Sequence, residues 1–194
     1  REPDKPAFAT ILFKGGGDAA AAALSVLETG EFDYAWNLQV EPEILQTMEM
    51  AGRGEIISAF ATSVERIHVN QTNPSPDLPP ERRSAYLDGT NPHPFLTDPA
   101  VGQAMSMAID RVLLTEIGYG PGGLPTCNIV PAPELYASTA NDDCLVQDLE
   151  GAKQVLEEAG YVDSDGDGVR EKDGVRLSVL YTTSTNSVRQ AYQS

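Results

Sequence analysis

Residues 148–183 read DLEGAKQVLEEAGYVDSDGDGVREKDGVRLSVLYTT, and they are the most informative part of the chain about its fold class. Its first part, 148–159, is a short amphipathic helix that ends at Gly160. The acidic turn 163–168 follows, and the apolar and β-branched residues of 175–183 then predict a strand. A helix that leads through a turn into a strand is typical of a layered α/β domain.

The same alternation of helices and strands continues through the rest of the chain. The sequence predicts strands at 7–13, at 32–38 and, once or twice, within 56–71. It predicts helices at 19–29, at 42–52, from Asp98 to Gly118 and from about Asn186 onward. Because the connections differ so much in length, we expect mixed strand pairing. The predicted fold is therefore one α/β lobe over residues 1–194, with a layered mixed sheet flanked by helices.

The helix predicted from Asp98 to Gly118 has the most regular apolar pattern in the chain. Helical spacing puts seven side chains on its buried face: Val101, Ala104, Met105, Ala108, Ile109, Val112 and Leu113. By contrast, the segment 73–94 contains six prolines and is predicted to be a loop.

Composition and charge exclude several classes of partner. The 194 residues carry 13 basic and 29 acidic side chains, a net charge of −16. Such a surface repels nucleic acid and anionic membranes, whereas it attracts cations. The chain has no apolar run of about 18 residues and thus no predicted membrane span. We expect it to be an excised piece of a longer protein, since it begins on a polar segment and ends within a predicted helix.

The two cysteines, Cys127 and Cys144, lie in a long irregular arm, 119–147. No cluster of His and Cys surrounds them, which argues against zinc. A disulfide between them would pin the arm and indicate a location outside the cytoplasm. The alternative is two unpaired thiols.

Asp163, Asp165 and Asp167 alternate with small residues before Gly168, as in a calcium-binding loop. Counted from Asp163, Glu171 is at the ninth position, while the bidentate glutamate expected at the twelfth is replaced by Gly174. Two interpretations stay open: a Ca²⁺ site and a solvated acidic hairpin turn.

Catalytic motifs are absent from the sequence. His68 and His93 are the only histidines, and neither HExxH nor GxSxG occurs. The Gly15–Gly17 run lacks the phosphate-loop pattern, and Asp18 after it would repel phosphate. We therefore predict a protein that is not an enzyme.

The best candidate for ligand binding is the segment that holds the only tryptophan. Strand ends are where ligands bind in α/β sheets, aromatic rings give flat contacts, and amides hydrogen-bond peptide groups. The alternative is a core aromatic on a buried strand. The predicted ligand-binding residues are Tyr34, Trp36, Asn37 and Gln39, with Thr72 and Asn73 after another strand as a second group.

Three segments together resemble the family 5 extracellular solute-binding proteins of the peptide and nickel type. They are GEFDYAW at 30–36, AMSMAIDR at 104–111, and the helix and acidic turn of 148–168. The resemblance implies most of the C-terminal lobe of a two-lobed, type II periplasmic-binding-protein-like receptor. Arg111 is then structural, and we expect it to pair with a carboxylate.

The resemblance also implies a role as the substrate-binding component of an ABC importer. Such a protein binds a peptide or related small solute between its lobes and delivers it to a membrane permease, without a required cofactor. It is periplasmic or extracellular and membrane-associated through the transporter. Peptides, opines, nickel chelates and sugars all fit this architecture. A calcium-stabilised extracellular interaction domain and a hydrolase are the alternatives.

Overall fold

The computed structural model describes residues 8–83 and 90–194 and divides the chain into two compact units, Arg1–Ile57 and Ser58–Ser194. The helices are α1 (Ala19–Leu27), α2 (Pro42–Glu49), α3 (Pro80–Arg83), α4 (Pro99–Ala108), α5 (Arg111–Tyr119), α6 (Leu149–Glu158) and α7 (Ser187–Ala191). The strands are β1 (Glu171–Lys172) and β2 (Val175–Arg176). Short 3₁₀ turns cover Gly120–Gly122, Glu134–Tyr136 and Asp142–Leu145.

In the first unit, α1 packs against α2. The predicted cap of α1 is confirmed, because an Asp18 oxygen accepts a hydrogen bond from the Ala21 amide at 2.8 Å. The buried side chains are Ala23, Leu27 and Val40. Gly54 approaches this small core closely, since a Cβ there would lie 3.0 Å from a methyl group of Leu27.

In the second unit, α4 and α6 make the most extensive helix contact. Phe95, Val101 and Tyr161 form its buried cluster. The Tyr161 hydroxyl donates to Asp98 at 3.0 Å, and the other carboxylate oxygen of Asp98 caps α4 by accepting from the Ala100 amide. The Asp98 carboxylate thus links the start of α4 to Tyr161, which lies shortly after α6.

The single helix predicted from Asp98 to Gly118 is wrong, because the structure has two helices there. Ile109 is extended, with φ −82° and ψ 122°, and the Asp110 side chain starts α5 by accepting from the Leu113 amide at 2.9 Å. The predicted apolar face therefore ends at the break: Val112 and Leu113 are 54% and 49% exposed. Asp is a strong N-cap residue, and here it begins a new helix.

Most of the predicted strands are also wrong. Among the described residues, 8–13, 32–38 and 56–71 form no strand, and only Val175–Arg176 of the predicted strand 175–183 pairs. A strand needs a neighbour for a ladder of backbone hydrogen bonds, and among the described residues these segments make only isolated ones, such as that from the His93 amide to the Gln71 carbonyl at 2.7 Å. Their apolar side chains lie at the surface, as Leu12, Phe13 and Leu180 show with 82%, 88% and 90% exposure.

The observed sheet is a two-stranded antiparallel hairpin. Glu171 pairs with Arg176 and Lys172 with Val175, around a turn in which Asp173 and Gly174 have φ of 52° and 75°. Helices with a small sheet are compatible with the predicted α/β class. The layered mixed sheet is not present in the part of the chain that the structure describes.

Candidate ligand-binding and metal sites

The aromatic segment of the first unit is exposed. Tyr34 and Trp36 are 75% and 78% exposed, so the alternative of a buried core aromatic does not hold in this structure. The start of the segment is fixed to the end of α1, because the Phe32 amide donates to the Ser25 carbonyl at 3.2 Å. The two rings are two positions apart in the chain, and both are open to solvent.

A turn follows the two rings. Asn37 has a positive φ of 57°, a conformation that asparagine adopts more readily than most residues. The Gln39 amide donates to the Asn37 carbonyl at 3.0 Å, and Val40 is buried directly afterwards. Asn37 is exposed and Gln39 half-buried, so the turn holds Asn37 beside the aromatic residues and exposes it to solvent.

The second predicted group, Thr72 and Asn73, belongs to the second unit. Thr72 forms an isolated antiparallel bridge with Pro92, and the Asn73 amide donates to the Asn91 carbonyl at 3.0 Å. The Asn73 side-chain oxygen accepts from the Ser75 amide, so this oxygen closes a turn. The ligand-binding role of both groups stays a prediction.

His93 has a structural position that the sequence did not reveal. Its Nδ1 accepts from the amides of Phe95 and Leu96 at 3.3 and 3.1 Å. Burial lowers the pKa of His93, which favours the neutral ring that these two bonds require. The imidazole therefore closes the turn that leads into α4.

The acidic turn is organised by its first residue. The Asp163 carboxylate accepts from the amides of Gly166, Asp167 and Gly168 at 2.7, 3.1 and 2.9 Å. These bonds fold residues 163–168 into a tight loop in which the backbone amides point inward.

The three carboxylates that this loop brings together differ from the predicted set. Oxygens of Asp163, Asp165 and Glu171 lie within 4.8 Å of one another. Asp167 instead pairs with Arg176 at 2.6 Å and accepts from the Val169 amide. The Val169 hydrogen bond, followed by that of Arg176, lowers the pKa of Asp167. Glu171 thus takes the place predicted for Asp167.

Glu171 carries a further feature relevant to a cation. One of its oxygens accepts from both the amide and the hydroxyl of Ser164. The other, Oε2, is buried and has no hydrogen-bond partner in the described parts of the chain. Carboxylate oxygens are the type of ligand that a hard cation such as Ca²⁺ takes.

Cys127 and Cys144 form a disulfide with a Cα–Cα distance of 6.1 Å, so the alternative of free thiols does not hold in this structure. Arg111 also anchors this arm, through hydrogen bonds. Its guanidinium donates to the Cys144 carbonyl at 2.9 Å and to the Ser106 carbonyl at 2.8 Å. Within residues 8–83 and 90–194, Arg111 binds these carbonyls and the Ser106 hydroxyl, and the expected pairing with a carboxylate is not found there.

A second polar cluster lies where α5 and α7 meet. Arg189 binds Glu65 with two hydrogen bonds of 2.7 and 3.0 Å, and this contact lowers the pKa of Glu65. Burial, followed by the charge of Glu65, raises the pKa of both Tyr119 and Tyr192, that of Tyr192 to about 12. The pair joins residues 124 positions apart, so no local motif reveals it.

With this geometry in view, comparison with known families identifies the chain. The family model for bacterial extracellular solute-binding proteins, family 5 (middle part), matches residues 2–194. The chain belongs to this family. The predicted resemblance is thereby confirmed, and membership agrees with the prediction of a binding protein that is not an enzyme.

One relative of this family 5 chain is the oligopeptide-binding protein AppA of Bacillus subtilis (strain 168). The two are 26% identical over 188 residues, which cover 96% of this chain and 30% of AppA. The chain thus spans about a third of that relative's length. No solved structure matches the chain. None of the helices in the described residues combines the length and apolar character needed to cross a membrane.

Proposed function

We propose that this chain is part of the substrate-binding component of an ABC importer. It belongs to a lobe of the type II periplasmic-binding-protein class and binds a peptide or related small solute against a second lobe. The full-length protein delivers that solute to a membrane permease from the periplasmic or extracellular side. The family match and the oligopeptide-binding relative support this proposal.

The observation that carries the peptide assignment is the exposure of Trp36 and Tyr34 beside Asn37. Large aromatic rings at a surface give flat apolar contact at a small cost in side-chain entropy. An adjacent amide donates to and accepts from the backbone groups that every peptide presents. Such a surface recognises peptides with broad side-chain tolerance.

Replacement of Trp36 by alanine is expected to weaken peptide binding to the full-length protein about 30-fold, as is usual for a buried aromatic contact. Mass spectrometry of small molecules released from natively purified protein names the ligand, and calorimetry measures its affinity. Tyr136→Ala is the matched control, because Tyr136 is also exposed, at 68%, but lies in the arm. Equal affinities for both variants would contradict the assigned role of Trp36.

The acidic turn supports a second, smaller role: a stabilising Ca²⁺ ion held by Asp163, Asp165 and Glu171. Their oxygens lie within 4.8 Å of one another, and Oε2 of Glu171 has no hydrogen-bond partner in residues 8–83 and 90–194. Three carboxylates so close repel one another, and a bound cation removes that repulsion. Arg176 pairs with Asp167 at 2.6 Å and lies 3.8 Å from an Asp165 oxygen, so it offsets part of the negative charge around this group of three.

Calcium at ten times its dissociation constant is expected to stabilise the full-length protein by about 1.4 kcal/mol. Thermal unfolding with CaCl₂, with MgCl₂ and with chelator measures the effect. Asp165→Asn should abolish the calcium shift, while Asp167→Asn, the matched control, should retain it. The test concentration of 10 mM CaCl₂ is about ten times the dissociation constant of the weakest extracellular calcium sites. An unchanged melting temperature there would contradict the Ca²⁺ site and favour a solvated acidic hairpin turn.

A further inference from the structure

The segment before Trp36 repeats one chemical pattern twice. Residues 31–34 read Glu-Phe-Asp-Tyr, so a carboxylate is followed by an aromatic ring in each of two successive pairs. Among residues 8–57 there are eight acidic and two basic side chains, a net charge of −6. The aromatic surface is therefore in a negative environment.

The first pair already binds a cation from its own chain. The Lys14 ammonium is 3.6 Å from a Glu31 carboxylate oxygen and 4.8 Å from the centroid of the Phe32 ring. An ammonium between a carboxylate and the face of a ring gains both Coulomb and cation–π attraction. Glu31 and Phe32 together thus hold one ammonium group.

The second pair, Asp33 and Tyr34, differs because both residues are exposed and Asp33 has no ion-pair partner among the described residues. The other basic residue of the described part of this unit, Arg53, lies against Gly30, where a Cβ would be 3.4 Å from its Nη1. Trp36, two positions after Tyr34, adds a second exposed ring. Tryptophan is the strongest cation–π partner among the aromatic side chains.

We propose that Asp33, Tyr34 and Trp36 form a subsite for the cationic side chain of a peptide, lysine or arginine. The inference rests on the proposed peptide-binding function and specifies its substrate class. The Asp33 carboxylate supplies the negative charge, and the rings of Tyr34 and Trp36 contact the cation and its aliphatic stem. The ligand's cation thus lies on a carboxylate and an aromatic ring, as the Lys14 ammonium does on Glu31 and Phe32. Backbone recognition admits any peptide, and this subsite selects among them.

The test compares pentapeptides that differ at one position: Ala-Ala-Lys-Ala-Ala, its norleucine analogue and its glutamate analogue. Norleucine matches the apolar stem of lysine but has no ammonium group. We expect the full-length protein to bind the lysine peptide about tenfold more tightly than the norleucine peptide in calorimetry at low salt. The glutamate peptide should bind most weakly.

Asp33→Asn should reduce the preference for the lysine peptide to about threefold or less, because only the cation–π attraction of the two rings then remains. Glu28→Gln changes the net charge of this unit equally, but Glu28 lies at the end of α1, so its preference should stay tenfold. An equal loss of the lysine preference in both variants would show that the preference comes from the net negative charge of the unit, and it would overturn the subsite. Peptide binding without any charge preference would overturn it too, while leaving the proposed function intact.

Two further outcomes are decisive. Cadaverine, a free diamine, is titrated in parallel, and affinity equal to that of the lysine peptide would assign the surface to free amines and overturn the inference. Failure of all three peptides to bind the full-length protein would overturn the proposed peptide-binding function and the subsite together.

Discussion

Replacement of both Cys127 and Cys144 by serine is expected to lower the free energy of unfolding by about 3 kcal/mol. The disulfide joins residues 17 positions apart, and the chain-entropy relation for a loop of this size gives that value. The arm it closes has few other restraints. Ile129, Leu135 and Val146 are 79%, 84% and 71% exposed, so little buried apolar surface holds the arm when the bond is removed.

Denaturant unfolding of the full-length protein with and without dithiothreitol measures this contribution. Reduction should lower the midpoint of the wild-type protein and leave the double variant unchanged. Ser138→Ala, which alters an exposed arm residue, is a control for substitution in the arm itself. A wild-type midpoint that does not respond to reduction would show that the arm is held by Arg111 and its carbonyl contacts instead of by the disulfide.

Helix positions were predictable because local chemistry sets them. Asp18, Asp98 and Asp148 each accept hydrogen bonds from amides in the first turn of the helix that follows, and Asn186 does the same for α7. A capping side chain acts within three residues, so it is readable from sequence alone. The break at Ile109 was missed because the apolar pattern continues through it, although Asp110 is itself a cap signal.

Strands were not predictable in the same way. The pattern of 8–13 is apolar enough for a buried strand, yet whether it pairs depends on a neighbour that its own sequence does not specify. The contact of Glu65 with Arg189 spans 124 positions and has no signature either. Long-range pairing is a property of the fold, so its absence from a local pattern is expected.

The candidate sites also combine features that the local sequence sets with features that depend on long-range contacts. The sequence placed Asp163 and Asp165 in one tight turn, whereas the grouping of Glu171 with them in place of Asp167 depends on the hairpin, which brings Arg176 to Asp167. For Trp36 the sequence left a surface contact and a core position open, since both need an aromatic ring. The 78% exposure of Trp36 decides against the core, and only a binding measurement tests the ligand role.

Replacement of Phe95 by alanine is expected to destabilise the second unit by about 3–5 kcal/mol. Phe95 is 6% exposed and shares a cluster with Val101 and Tyr161, both 4% exposed. Removing its ring loses the transfer free energy of the buried atoms and leaves a cavity that rigid helices refill only in part. The edge-to-face contact with His93, at a centroid distance of 4.6 Å, is lost as well.

The effect should be large because this cluster joins three separate elements of the unit. Val101 belongs to α4, Tyr161 follows α6, and Phe95 precedes both in the turn closed by His93. Phe60→Ala is the matched control: the same atoms are removed from a ring that is 60% exposed, so its cost should stay within about 0.5 kcal/mol. Urea unfolding of the two variants in the full-length protein gives the comparison. Equal destabilisation would mean that α4 and α6 are held together by their polar contacts, chiefly the bond between Tyr161 and Asp98, and that the apolar cluster is not the core of this unit.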